Sequence, residues 1–384
     1  MRIDSEQDAI LKGDRGEVIS RALRTLVDYG TVFNAKRLVP IKSAHLAGSF
    51  GTISYGAYFH VLDQILKEGV RVKVPTTINP RPGHDISLLN RIAFIKQNAL
   101  DYKLKALGVI PNYSCACYEQ DNIPAAGDYL AWAESSAVVF SNSVLGARTN
   151  RNSVLIDLCS AITGYTPEFG YLLDENRSGN VAVKIKINQM DATALGFIIG
   201  QKIVNKVPVI EHFDFSRSDL KNMGAAMAAA GSIGLFHVEG ITPEASDIHT
   251  AFAGSEPEST ITITQSDLNS LRTKHLDNSR LVVFGCPHLT CKEASDIAAH
   301  ITGKRLTKNI WLCMMPQAKS DFEKTDYYKT LDASHVSVYC HCPLAALTVQ
   351  LHRKQVLTSS GKLYYYLEGT EYGTMEDCLK ACET

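Results

Sequence analysis

The chain has 384 residues, 39 Lys+Arg against 40 Asp+Glu, and a formal net charge of −1. Hydrophobic residues make up 45% and charged residues 21%, the balance of a globular protein with a large core. Near-zero charge excludes a bulk electrostatic grip on nucleic acid or an anionic membrane. No run reaches the ~18 apolar residues of a spanning helix, and the opening MRIDSEQDAILKGDRG has no apolar leader core, so a cytoplasmic protein is expected.

Helix and strand signals alternate along the chain, the pattern of an α/β fold. Residues 16–29 place Val18, Ile19, Ala22, Leu23, Leu26 and Val27 on one helical face. A second helix is expected over 58–68, with Gly69 as its C-cap. Residues 71–74 read as a short strand running into Pro75-Thr76-Thr77. Residues 180–185, 207–210 and, more weakly, 260–263 are β-branched runs bounded by Gly, Asn or Pro. The Gly/Ala-rich stretch 223–236 reads as a tightly packed internal helix. In 281–300 a strand is expected to end at Gly285, and Thr290 and Glu293 have capping-box spacing before a helix. Residues 335–339 (HVSVY) form a further strand. Domain cuts are weakly marked, so 1–384 is treated as one catalytic body.

Ten cysteines are too few for a secreted disulfide scaffold of this length. Cys115-Ala-Cys117, Cys286-(x4)-Cys291 and Cys340-His-Cys342 form three separate groups, and none is a CxxC. A zinc knuckle or a compact ferredoxin run is therefore not supported. One ligand from each of three segments is the alternative, and three thiolates on a four-iron cluster would leave one iron open. Two of the groups sit at expected strand carboxyl ends, where open α/β sheets bind ligands. No GxGxxG, P-loop, HExxH or GxSxG occurs, which removes weight from nucleotide-dependent and α/β-hydrolase chemistry. Polar, Gly-containing stretches at 43–48, 75–80, 134–151, 237–244 and 359–362 offer hydroxyls, backbone amides and cations suited to a carboxylate or phosphate. Each is also an ordinary turn composition.

SAHLAG (43–48), VPTTINP (74–80), YSCACY (113–118), WAESSAVVFSNSVLGARTNR (132–151), HVEGITPEA (237–245), GCPHL (285–289) and SSGK (359–362) together resemble the aconitase X family, in order across nearly the whole chain. The resemblance implies an aconitase-like, multi-lobed catalytic body with mixed or parallel sheets flanked by helices. It also implies an iron–sulfur cluster (4Fe-4S or 2Fe-2S) and a hydro-lyase reaction. Known members dehydrate cis-3-hydroxy-L-proline or mevalonate 5-phosphate. The family's cluster cysteines fall on Cys115, Cys286 and Cys342, with Cys340 the fallback for the third. The complete family enzyme carries a catalytic Ser on a small swivelling domain, in some members a separate subunit. A small swivel-domain subunit is the expected partner here, and the general base is expected to lie on it.

On that basis His45, Ser135 and Lys362 become the catalytic candidates, with His45 assisting the leaving hydroxyl and Glu134 an acid or base nearby. Thr76, Thr77, Asn79, Ser136, Arg148, Thr149, Asn150 and Ser360 become candidates for holding the substrate carboxylate, Arg148 through its bidentate fork. SAH at 43–45 leans towards hydroxyproline members, and mevalonate 5-phosphate is the alternative. A binding subunit with a mononuclear iron or zinc, and an electron-transfer protein, are the readings from other classes.

Overall fold

The computed structural model describes residues 1–48, 56–273, 279–349 and 355–383. An antiparallel ribbon pairs β1 (Leu38–Pro40) with β5 (Tyr165–Pro167). Three further sheets are wholly parallel. The first has the order β3 (Thr76–Ile78), β2 (Ser43–Leu46), β4 (Leu130–Trp132). The second has β8 (His237–Val238), β7 (Pro208–Ile210), β6 (Val181–Lys186), β9 (Ser259–Thr264). The third has β12 (Val336–Tyr339), β11 (Asn309–Met314), β10 (Leu281–Leu289), β13 (Val356–Thr358), β14 (Glu371–Tyr372). Helices flank all three, as expected of the α/β class. No helix among the described residues is long and apolar enough to cross a membrane.

The expected helices form at Glu17–Val32 and Gly56–Lys67, the latter followed by Gly69 at φ +68°. The Gly/Ala stretch belongs to helix Arg217–Gly231, which ends at Ser232 in the left-handed region, so 233–236 are loop. Its small residues have a use. A Cβ on Gly196 of helix Ala192–Lys202 would stand 2.2 Å from the Met223 carbonyl oxygen, so the two helices pack backbone to backbone. Residues 71–74 are not a strand; Val72 and Lys73 donate instead to Leu107 and Ala161 carbonyls, and pairing starts only after Pro75, at Thr76. Proline has no N–H to give a ladder, which fits a strand that starts after it.

The strand expected to stop at Gly285 runs to Leu289, with its register shifted between Phe284 and Leu289. Gly285 lies at φ +109°, and a Cβ there would be 2.1 Å from the Cys313 carbonyl oxygen, so only glycine fits. The irregularity lifts residues 286–288 out of the ladder, as bulges do when they re-aim side chains. The Thr290/Glu293 capping box forms and starts helix Cys291–Ile301.

Candidate active site

The carboxyl ends of the first and third sheets meet around a cavity of about 450 Å³. From the first sheet, β3 leads into Asn79 and Pro80, and β4 leads into Glu134 and Ser135. From the third, β10 brings Cys286 and His288, β12 leads to Cys342, and β13 leads to Lys362. Cys115 comes from the 108–116 segment and Arg151 from the loop before helix Val154–Thr163. Tyr365 and Tyr366 stand exposed at the edge.

Cys115, Cys286 and Cys342 thus line one cavity from three distant stretches; Cys340 is not among the lining residues. Among the described residues no three ligating side chains close on a single point, so the ligand set rests on their sharing this cavity. Burial pushes the Cys115 thiol up to about 12 and the Cys286 and Cys342 thiols up as well. Left alone, they stay protonated. Two sulfurs nevertheless already receive amide hydrogens: His288 N donates to Cys115 Sγ at 3.2 Å and Ala345 N to Cys342 Sγ at 3.5 Å. Such donors stabilise charge on a metal-bound thiolate, and a metal would take the place of the thiol protons. The donor set fits an iron–sulfur group. Ser360 Oγ donates to the Cys286 carbonyl while accepting from Leu363 N, so it fixes the cysteine's backbone and caps the helix that carries Lys362.

Lys362 Nζ pairs with Glu134 Oε1 and lies 3.4 Å from Ser136 Oγ. Burial opposes both charges, yet the pairing wins: Lys362 is held above and Glu134 below its ordinary value. The cavity therefore holds a fixed cation and carboxylate at neutral pH. Across it, His288 Nε2 donates to the His341 carbonyl at 2.9 Å, since a carbonyl can only accept. Burial holds the ring neutral, at about 4, so Nδ1 keeps its lone pair, and no partner among the described residues meets it.

Other expected residues lie elsewhere. His45, Thr76 and Thr77 are fully buried behind the cavity wall. His45 Nδ1 contacts Thr77 Oγ1 at 2.8 Å, and burial pushes His45 down to about 4, so it is a neutral core histidine that faces Glu134 only electrostatically. Ser136 Oγ is spent on Glu134 and the Cys115 carbonyl. Arg148 is not brought to the cavity: it donates to the Leu172 carbonyl at 3.1 Å and pairs with Asp174 at 2.5 Å. Thr149 Oγ1 accepts from Trp132 N, and the Asn150 amide bridges Phe169 O and Tyr171 N. All three of these brace the backbone. Arg151, three residues after Arg148, is the arginine that lines the cavity. Nothing in TNR separates the two arginines by pattern alone. His288 carried a signal, since GCPHL places it two residues beyond Cys286.

Family models for the aconitase X first, second and third domains match residues 1–175, 161–273 and 279–384. The phosphomevalonate dehydratase large subunit of Methanosarcina mazei is 34% identical over 99% of this chain and 96% of its own length. The cis-3-hydroxy-L-proline dehydratase of Pseudomonas aeruginosa is 31% identical over 96% of this chain but 67% of its own length. The solved holo form of Thermococcus kodakaraensis aconitase X superposes with a TM-score of 0.88 at 32% identity, covering 99% of each chain. With domain models spanning it and relatives matched along its whole length, the chain belongs to the aconitase X family.

Proposed function

We propose that this chain is the catalytic large subunit of a dehydratase that removes water from a small β-hydroxy carboxylate. The observation that carries the reading is the convergence of Cys115, Cys286 and Cys342 on the cavity that also holds the Lys362–Glu134 pair. When bound, an iron–sulfur cluster supplies Lewis acidity toward a hydroxyl and a carboxylate oxygen. The protein's own groups do the rest. Lys362, cationic and buried, stabilises negative charge that builds on the substrate carboxylate as its α-proton leaves. Arg151 offers a bidentate anchor at the opening. Asn79 and Ser135 add polar lining, and His288 Nδ1 accepts a hydrogen bond from a substrate hydroxyl. A small swivel-domain subunit supplies the proton-abstracting base and covers the mouth.

Two substrates have support. Lys362, charged and held by Glu134, and Arg151, without an ion pair among the described residues, are the cations that line the cavity. Both are taken up by one carboxylate in this reading, which favours a cis-3-hydroxy-L-proline-type substrate. Near-complete mutual coverage with the Methanosarcina large subunit favours mevalonate 5-phosphate. The test is anaerobic reconstitution with iron, sulfide and the small subunit, followed by assay of both acids. Cys115→Ser and Cys342→Ser should lose bound iron and activity, whereas Cys340→Ser keeps both. An active, iron-free Cys115→Ser enzyme would overturn the reading.

A further inference from the structure

Helix Leu88–Ala93 reverses the usual amphipathic order. Its buried face carries a polar residue: Asn90 is fully buried and its Nδ2 donates to the Ala346 carbonyl at 2.9 Å. Its outward stripe is apolar: Leu88 is 69% exposed, Ile92 55% and, just past the helix, Ile95 69%. Leu88 and Ile92 stand one helical turn apart (i, i+4), Leu89 widens the stripe, and Ile95 adds to it from the turn that follows. A contiguous exposed apolar strip held rigidly in place marks an interaction surface.

We propose that this stripe is the seat of the small subunit. The inference rests on the large-subunit reading above. Three observations select that occupant. The Asn90 bond ties the stripe to helix Pro343–Thr348, whose capping residue Cys342 and first residues Pro343 and Leu344 line the cavity. The stripe is thus anchored, through Asn90, to the element that carries cavity-lining residues. The relatives named as large subunits imply a second polypeptide, and the Pseudomonas cis-3-hydroxy-L-proline dehydratase carries about a third of its length beyond the region shared with this chain. Finally, Arg91 and Lys96 flank the stripe, and neither forms an ion pair among the described residues; Lys96 lies instead over the Phe59 ring at 5.5 Å. The partner is thus a folded module whose apolar face is edged with carboxylates.

The test titrates the purified small subunit against the full chain and follows association by calorimetry, with particle mass by light scattering. L88E/I92E/I95E alters only exposed positions, so its circular dichroism and melting temperature should match wild type, while association weakens ~100-fold or more. R91E/K96E should slow association and flatten its salt dependence, with a smaller loss of affinity. A triple variant that binds the small subunit as tightly as wild type overturns the inference and leaves the dehydratase reading standing. If the triple variant instead dissolves a homodimer and binds the small subunit normally, the stripe pairs two copies and the inference falls. If wild type binds no small subunit, the large-subunit reading fails and takes the inference with it.

Discussion

Two buried lysine–glutamate pairs flank the same cysteine-bearing loop, and they are built for opposite ends. Lys221 Nζ bonds Glu293 Oε2 at 2.5 Å and the His288 carbonyl at 3.2 Å. Glu293 also accepts from Thr290 N and Oγ1 and from Ser218 Oγ. This pair clamps helix Arg217–Gly231 to the turn after Cys286. Among the described residues Lys362 and Glu134 share only Ser136 as a further hydroxyl partner, and both face the cavity. A saturated pair holds structure, while a pair with open valences at a cavity is available to substrate.

Substitution should therefore separate the two. Lys362→Met is expected to reduce kcat of the reconstituted enzyme by ~10³-fold or more, as loss of a fixed charge-stabilising group does, and to lower stability as well, because the largely buried Glu134 carboxylate loses its partner. Lys221→Met should lower stability by about 3–5 kcal/mol, since the largely buried Glu293 loses its cation and keeps only neutral donors. Its folded fraction should keep kcat within ~10-fold, as expected of a residue that acts only through the loop it holds. Denaturant unfolding together with steady-state rates reads both. Equal loss of kcat in the two variants would erase the distinction.

The two arginines of the GARTNR stretch extend the contrast to substrate binding. Arg151→Gln should raise KM by ~10–100-fold with kcat little changed, because it removes binding common to ground and transition states. Arg148→Gln should leave KM alone and cost about 1 kcal/mol of stability through the lost carbonyl and Asp174 contacts. A KM effect confined to Arg148 would reverse the placement.

What the sequence exposed and what it hid follow from the same physics. The strands at 181–186, 208–210, 259–264 and 336–339 and the capping box at 290–293 were legible, because local pattern decides them. The thiols at 115, 286 and 342 were legible only through family resemblance; no spacing rule links stretches so far apart. The first short sheet was misread at 71–74, where an apolar run ends in a proline and tertiary bonds replace a ladder. The carboxylate candidates Arg148, Thr149 and Asn150 show why polar motifs mislead. Buried backbone must be satisfied, and these side chains satisfy it. Arg151 reaches the cavity by a turn that residue identity does not reveal, whereas the place of His288 two residues beyond Cys286 was a signal, though the bulge that aims it was not legible.

The smallest expected effect tests His45, the residue moved furthest from its expected role. Its ring is neutral in the fold, held at about 4 against an ordinary 6.5 by burial. Below pH 6.5 the unfolded chain takes up a proton that the folded chain refuses. The unfolded state thus binds more protons, and stability falls as pH drops from 6.5 towards 4, by about 1.4 kcal/mol per pH unit at most from this residue. Below about 4 its contribution no longer changes. His45→Gln removes that slope whatever its effect on absolute stability, so the measurement is the difference in slope between variant and wild type, from urea unfolding at intervals from pH 4.5 to 7.5. A histidine that donated a proton to the leaving hydroxyl would instead titrate near neutrality in the fold. Its loss would then abolish the alkaline limb of the kcat profile, because a proton donor must be protonated to act, and leave the stability slope unchanged.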